Sequence, residues 1–219
     1  MSDHAAAPPV IIVHGLWMHG LAMGWLARRI TRGGFDAQTW SYPSVRHSLS
    51  DNARHFAQYC RALNLPRFHV VAHSLGGLVS LRMLELAPDL HCERLVLVGT
   101  PYVDSEAARG LARWPGGTRL LGSSIGEWLE GLHPHPARGA VDIGVIAGTR
   151  GFGMGRLVAP DLKPPHDGAV RLAETQLPFP HQRIELPVGH SGMLLSDAVA
   201  RQCCTFLRHG RFDVSGGRP

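Results

Sequence analysis

Six short apolar runs alternate along this chain with segments of helical periodicity. Most of the runs are continuously apolar, which is typical of strands that are covered on both faces. Strands that alternate with helices imply right-handed crossover connections and a parallel sheet. The sequence therefore predicts an α/β fold with a mostly parallel six-stranded sheet and helices on both faces. The runs are Val10–His14, Thr39–Tyr42, His69–His73, Arg94–Thr100, Val141–Gly148 and Gln182–Val188.

The segments between the runs carry the start and stop signals of helices. One ends at a pair of glycines, a second stops before a proline, and the last ends at Gly210. Residues 102–140 interrupt the alternation, and Ser124–Glu127 within them has the spacing of a capping box. We interpret 102–140 as a helical, lid-like insertion within a single domain that spans residues 1–219. The predicted helices are Gly20–Arg32, Leu49–Leu63, Leu75–Ala87 and Ser191–His209.

The composition narrows the class of protein. Of the 219 residues, 44% are hydrophobic and 18% are charged, so a sizeable core is expected and global disorder is not. No apolar stretch approaches the roughly 18 residues of a membrane span, and the first residues lack the features of a secretory signal. We therefore expect a cytoplasmic protein with reduced cysteines. The basic residues, which leave a net charge of +5, are scattered, so no nucleic-acid partner is predicted.

A serine lies where a buried strand is predicted to run directly into a helix. Ser74 has the small residues Ala72 and Gly76 two positions to either side. A sharp strand–turn–helix joint can force its central residue into a sparsely populated backbone region, and close approach of strand and helix requires small neighbours. The helix N-terminus also favours negative charge. The pattern predicts that the Ser74 hydroxyl projects from the C-terminal edge of the sheet as a nucleophile.

The octet Val70–Gly77 resembles the nucleophile elbow of the α/β-hydrolase family, G-x-S-x-G, with Ala72 in place of the first glycine. Val13–Trp17 is similar to the loop that follows the first strand in this family. Val188–Leu194 resembles the loop that carries the family's histidine. With these motifs in order, the chain is identified as a compact lipase- or esterase-like member of the α/β-hydrolase superfamily, over Val10–Leu207.

The resemblance implies roles for particular residues. Ser74 would be the nucleophile and His190, which precedes the last helix, would be the general base. The backbone N–H groups of Leu16 and Leu75 would form the oxyanion hole. His73 lies beside Ser74 in sequence, but neighbouring side chains at an elbow point apart, so it is not expected to be the base.

The residue that supplies the catalytic acid is less sharply defined. Many relatives carry a D-G-x-V segment, and Asp167–Val170 matches it. With Asp167 the chain order is Ser, Asp, His, as in this fold family. About eighteen residues separate the end of the fifth strand from Asp167, whereas simpler relatives place the acid directly after the strand. Asp161 and Asp104 therefore remain alternatives.

The resemblance implies hydrolysis of carboxylic esters through an acyl-enzyme on Ser74, with no cofactor and no metal. His14 is expected to orient the loop of the oxyanion hole. Trp17 and Met18 are candidates for substrate binding, and such apolar residues suggest a small-molecule ester with an uncharged acyl group. A thioesterase, an amidase or an acyltransferase uses the same residues. A non-catalytic binding protein with this fold is the alternative from a different class.

Overall fold

The computed structural model describes residues 7–136, 139, 141–151 and 162–214. In these residues six strands form one sheet in the order β2-β1-β3-β4-β5-β6. Every neighbouring pair of strands is parallel, which confirms the predicted α/β architecture. The strands are β1 (Val10–Val13), β2 (Ala37–Trp40), β3 (Phe68–His73), β4 (Cys92–Val98), β5 (Asp142–Gly148) and β6 (Gln182–Leu186).

Each predicted apolar run overlaps one strand, but several runs continue past the C-terminal end of the strand. His14, Tyr42 and Thr100 were predicted within strands and instead lie in the loops that follow. All three are buried. Buried residues therefore continue beyond the paired part of each strand, and this makes the predicted strands too long.

Helices cover both faces of the sheet. Two predicted helices are divided: Gly20–Arg32 begins as a 3-10 helix, and Ser191–His209 breaks at Ser196. The Ser196 hydroxyl oxygen accepts a hydrogen bond from the Val199 N–H, so it caps a new helix. The helices are α1 (Gly24–Arg32), α2 (Leu49–Ala62), α3 (Leu75–Leu86), α4 (Glu106–Ala112), α5 (Gly117–Leu129) and α6 (Asp197–His209), with 3-10 helices at Gly20–Met23, Leu172–Thr175 and Ser191–Leu195.

Alternate residues of each central strand belong to two separate hydrophobic cores. In β1, Ile11 and Val13 pack in the core that includes residues of α2 and α3, while Val10 and Ile12 pack in the core that includes α1 and α6. Side chains of a strand point alternately to opposite faces, so a strand covered on both faces must be apolar throughout. Burial of each aliphatic side chain stabilises the fold by roughly 1.5–3 kcal/mol.

The predicted capping box in the insertion does not form, so that prediction is wrong. The Ser124 hydroxyl donates to the carbonyl of His47 at 2.8 Å and accepts from the Asn52 side chain at 2.9 Å. The Glu127 carboxylate accepts from the N–H and the hydroxyl of Ser50, at 2.9 and 2.6 Å. Glu127 thus satisfies an unpaired N–H in the first turn of α2 instead of the start of its own helix. These contacts attach α5 to α2.

The four cysteines are buried free thiols. Burial raises the pKa of Cys60 to about 12, and it also raises the pKa values of Cys92, Cys203 and Cys204. A protonated buried thiol is a poor nucleophile, so these cysteines are not candidates for covalent catalysis. None of the helices within the described ranges combines the length and the apolar character needed to cross a membrane.

Candidate active site

Ser74 occupies the sharp joint between β3 and α3. Its φ and ψ are 53° and −126°, a region that costs a residue other than glycine on the order of 1–3 kcal/mol. Contacts with β4 and with the loop that follows it hold this conformation: the Ser74 N–H donates to the Val98 carbonyl, and the Ser74 carbonyl accepts from the Thr100 hydroxyl. A Cβ at Gly76 would lie only 2.4 Å from the backbone oxygen of His14. The predicted need for a small residue at position 76 therefore has a direct steric cause.

His190 and Asp167 form a hydrogen-bonded pair at the same edge of the sheet. Nδ1 of His190 lies 2.8 Å from Oδ2 of Asp167. The other carboxylate oxygen accepts from the backbone N–H groups of Ala169 and Val170, at 2.9 and 2.7 Å. The His190 N–H also donates to the Asp167 carbonyl at 2.8 Å. Since a carboxylate only accepts, Nδ1 carries a proton, and in the neutral ring the lone pair is then on Nε2.

Asp167 is a buried carboxylate that remains ionised. It is only 1% exposed, and burial alone would raise its pKa. The charge and hydrogen bond of His190, together with the N–H groups of Val170 and Ala169, outweigh burial and hold the pKa of Asp167 below its usual value. The group can therefore stabilise a positive charge on the imidazole ring at neutral pH.

The fold brings Asp167 back to the end of β5 despite its distance in sequence. A Cβ at Gly148, the last residue of β5, would lie 2.7 Å from the Asp167 Cβ. The alternative Asp104 pairs instead with Arg109 at 2.6 Å. Asp161 lies outside the described residues. Of the two described candidates for the acid, only Asp167 contacts His190.

Gly99, at the end of β4, was not assigned to the site from the sequence. Its φ is 60°, and a Cβ there would lie 3.2 Å from Nδ1 of His190 and 3.3 Å from Oδ2 of Asp167. A larger residue would press on the hydrogen bond between them. The available signal was a glycine followed by Thr100 and Pro101 at a strand end, a pattern that also suits ordinary strand termini.

The residue that precedes Ser74 in the chain contacts His190. The ring of His73, the residue before Ser74, lies 4.6 Å from the ring of His190 between centroids. A Cβ at Gly15 would lie 3.0 Å from the Cβ of Ser74. Within the described part of the chain the Ser74 hydroxyl makes no hydrogen bond. In unliganded enzymes the bond between nucleophile and base is often long and shortens when substrate binds.

His14 shapes the loop that follows β1. Its Nε2 accepts from the Tyr42 N–H at 3.2 Å, so Nδ1 carries the proton and donates to the Gly15 carbonyl at 2.8 Å. The Tyr42 hydroxyl donates to the His14 carbonyl, and the two rings stack at 4.4 Å. Burial lowers the pKa of His14, in keeping with the neutral form that this bonding requires. These are the contacts expected of a residue that orients the loop.

Among the described residues, the backbone N–H groups of Leu16 and Leu75 donate to no protein group. An oxyanion hole requires such unpaired donors. Trp17 has a φ of 58°, its N–H donates to the Ser44 hydroxyl, and its indole N–H donates to a carbonyl of α5. Trp17 is 56% exposed, whereas Met18 packs partly against the core.

Because three histidines are buried, we expect the free energy of unfolding to fall at acidic pH. Burial lowers the pKa values of His14, His69 and His73, to about 4 for His69 and about 3 for His73. In the unfolded chain each group protonates near pH 6.5. Below that pH the unfolded state binds more protons, so the free energy of unfolding should fall, by up to about 1.4 kcal/mol per pH unit for each imidazole. Urea denaturation at pH 7.5 and 5.5 measures this, and an equal or larger free energy at pH 5.5 would contradict it.

A family model described as alpha/beta hydrolase fold matches residues 8–123. This match covers more than half of the 219 residues, and the strand order and the elbow agree with it. The chain belongs to the α/β-hydrolase family. Membership of this family supports a hydrolase as the class of protein.

Solved structures share the fold over almost the whole chain. The Bacillus licheniformis lipase BlEst2 in its mature form has a TM-score of 0.75 and 20% identity, with 95% of this chain and 94% of that chain covered. The RedJ thioesterase of the prodiginine biosynthetic pathway in Streptomyces coelicolor has a TM-score of 0.63 and 12% identity, with 94% and 86% covered. At these identities the likeness shows the fold alone.

One curated relative is RutD of Serratia proteamaculans (strain 568), which is provisionally named a carbamate hydrolase. It is 39% identical over 64 residues. The match spans 29% of this chain and 24% of that protein. A match of this length does not transfer a substrate.

Proposed function

We propose that this protein is a serine hydrolase that cleaves small carboxylic esters through an acyl-enzyme on Ser74. The observation that carries the proposal is the 2.8 Å hydrogen bond between His190 and the buried Asp167, at the same sheet edge as the strained Ser74. A serine hydroxyl is a weak nucleophile until a base removes its proton. An imidazole whose Nδ1–H is held by a carboxylate has Nε2 available as that base.

In the proposed reaction, Nε2 of His190 removes the Ser74 proton as Oγ attacks the ester carbonyl. The N–H groups of Leu16 and Leu75 donate to the oxyanion, and loss of one such donor typically costs roughly 3–4 kcal/mol. The tetrahedral intermediate collapses, the C–O bond to the alcohol breaks, and the alcohol takes the proton from His190. A water molecule, deprotonated by His190, then attacks the acyl-enzyme and releases the carboxylic acid and free Ser74. These steps require no metal and no cofactor.

Apolar residues on the loop after β1 support an uncharged acyl group as the substrate class. Leu16, Trp17 and Met18 follow Gly15, whose backbone approaches Ser74. We propose that Trp17 and Met18 contact the acyl chain. One neighbour is named a lipase and another a thioesterase, and the partial relative bears the name of a carbamate hydrolase. The cytoplasmic location stays a prediction from the sequence.

A fluorophosphonate probe is expected to label the native protein on Ser74, because only an activated serine attacks the phosphorus atom. Ser74→Ala should take up no label, as measured by fluorescence and by mass spectrometry of the labelled peptide. Ser191→Ala removes an exposed hydroxyl beside His190 and should keep the label. A native protein that takes up no label would instead support a binding protein with a hydrolase fold.

The substrate class is tested separately with p-nitrophenyl esters of increasing chain length and with the matching thioesters and anilides. The proposal requires the oxygen esters to have the largest kcat/KM. Faster turnover of thioesters or anilides would retain Ser74 as nucleophile and replace the ester assignment by a thioesterase or an amidase.

A further inference from the structure

The buried imidazole of His73 lies between the loops that carry the proposed catalytic groups. It is 2% exposed, and it immediately precedes Ser74 in the chain. Its Nε2 lies 3.2 Å from the backbone oxygen of His190, and the two rings are in contact. Its Nδ1 lies 3.1 Å from the position of a Cβ on Gly15. One side chain therefore contacts the loop of the proposed base and lies next to Gly15 in the loop of the proposed oxyanion hole.

The contacts of His73 indicate which ring nitrogen carries the proton in its neutral form. A carbonyl oxygen only accepts hydrogen bonds, so Nε2 carries the proton and donates it to the His190 carbonyl. Nδ1 then bears a lone pair, and it has no hydrogen-bond partner within the described residues. Burial lowers the pKa of His73 to about 3, the charges of His190 and His14 act in the same direction, and Asp167 opposes them. Burial thus favours the neutral form of His73.

The main chain of His190 is held at two points. Its N–H donates to the carbonyl of Asp167 at 2.8 Å, and its own carbonyl accepts from His73. The first bond joins the base to the acid. The second joins the base to the residue before the nucleophile, across 117 positions of sequence.

We propose that His73 is a positioning residue, whose Nε2–H holds the backbone of His190 in register with the elbow that carries Ser74. The proposal rests on the proposed function for its kinetic consequence, while its structural part concerns only the two loops. His73 donates no proton to the substrate and accepts none from Ser74. It acts through the distance and angle between the Ser74 hydroxyl and Nε2 of His190.

Loss of this bond should lower kcat much more than it changes KM. A misplacement of about 1 Å in a catalytic group can reduce the rate by about 100-fold. We expect His73→Leu to lower kcat by about 10- to 100-fold, with KM within about 3-fold of the native value. We expect His73→Gln to retain kcat within about 3-fold, because its amide nitrogen can occupy the position of the imidazole Nε2–H.

Two further variants separate positioning from a general loss of stability. His73→Asn keeps a buried amide but is one carbon shorter than Gln, so it should lose activity as Leu does. If His73→Leu does not fold, the comparison of Asn with Gln decides the question. His69→Leu removes an equally buried imidazole from the same face of β3, far from Ser74, and should leave kcat unchanged.

The experiment combines kcat and KM for p-nitrophenyl butyrate, melting temperatures, and hydrogen exchange of residues 188–194. His73→Leu and His73→Asn should speed exchange in that segment, and His73→Gln should not. Because exchange requires no activity, this arm tests the positioning role even if the native protein hydrolyses no ester. The proposal is overturned if hydrogen exchange is unchanged in the His73→Leu and His73→Asn variants. It is also overturned if folded His73→Gln and His73→Asn variants have equal kcat, or if His69→Leu lowers kcat as much as His73→Leu does.

Discussion

Replacement of His190 by Ala is expected to lower kcat for ester hydrolysis by about 10⁶-fold, the loss typical of removing the serine or the histidine of a serine triad. Without the imidazole, nothing removes the proton from Ser74, and nothing returns a proton to the leaving alcohol. The variant should fold normally, since the ring lies at the edge of the sheet and is partly exposed. Initial rates with p-nitrophenyl butyrate, with melting temperature as the check on folding, measure the effect.

The control for this variant is His209→Ala, which removes an exposed histidine from the last turn of α6 and should leave the rate unchanged. If His190→Ala keeps a hundredth of the native rate, His190 is not the base.

Asp167→Asn is expected to lower kcat by about 10⁴-fold while preserving the fold. One carboxylate oxygen accepts from the N–H groups of Ala169 and Val170, so the amide oxygen of Asn should occupy that position. The amide nitrogen would then face Nδ1 of His190 and donate to it. The ring proton would move to Nε2, which could no longer accept from Ser74.

Two matched variants test the choice of acid. Asp104→Asn breaks an ion pair with Arg109 and should leave kcat unchanged. Asp161→Asn tests the other alternative from the sequence and should also retain activity. If Asp161→Asn loses about 10⁴-fold and Asp167→Asn does not, the acid has been assigned to the wrong residue. The rates are compared at a pH where the native protein has its maximum kcat.

Burial on both faces makes the central strands visible in the sequence as continuous apolar runs. The elbow at Ser74 could also be predicted from the sequence, because the strained residue and the glycine that it requires, Gly76, are only two positions apart. His190 was marked by its place between the last strand and the last helix. These features depend on local backbone geometry and on the periodicity of burial, and both leave direct traces in the order of residues.

Other features were missed because they depend on partners that are distant in sequence. Ser124 and Glu127 have the spacing of a capping box, yet both bond to residues far away in the sequence. Ser124 bonds to His47 and Asn52, which are 77 and 72 positions away. Glu127 bonds to Ser50, which is 77 positions away. The spacing rule takes no account of a neighbouring helix with unpaired N–H groups. Gly99 was overlooked for the same reason, since the groups it accommodates come from two other loops.

The order of strands and helices, the strained corner at Ser74 and the position of His190 are determined by the sequence alone, through patterns that span a few residues each. The tertiary structure decided that Asp167, 23 positions before His190, returns to the end of β5 to bind it. It also decided that His73 bonds to the backbone of His190. Hydrogen bonds of this kind form only where packing of the sheet brings remote loops within about 3 Å, and no local pattern encodes that distance.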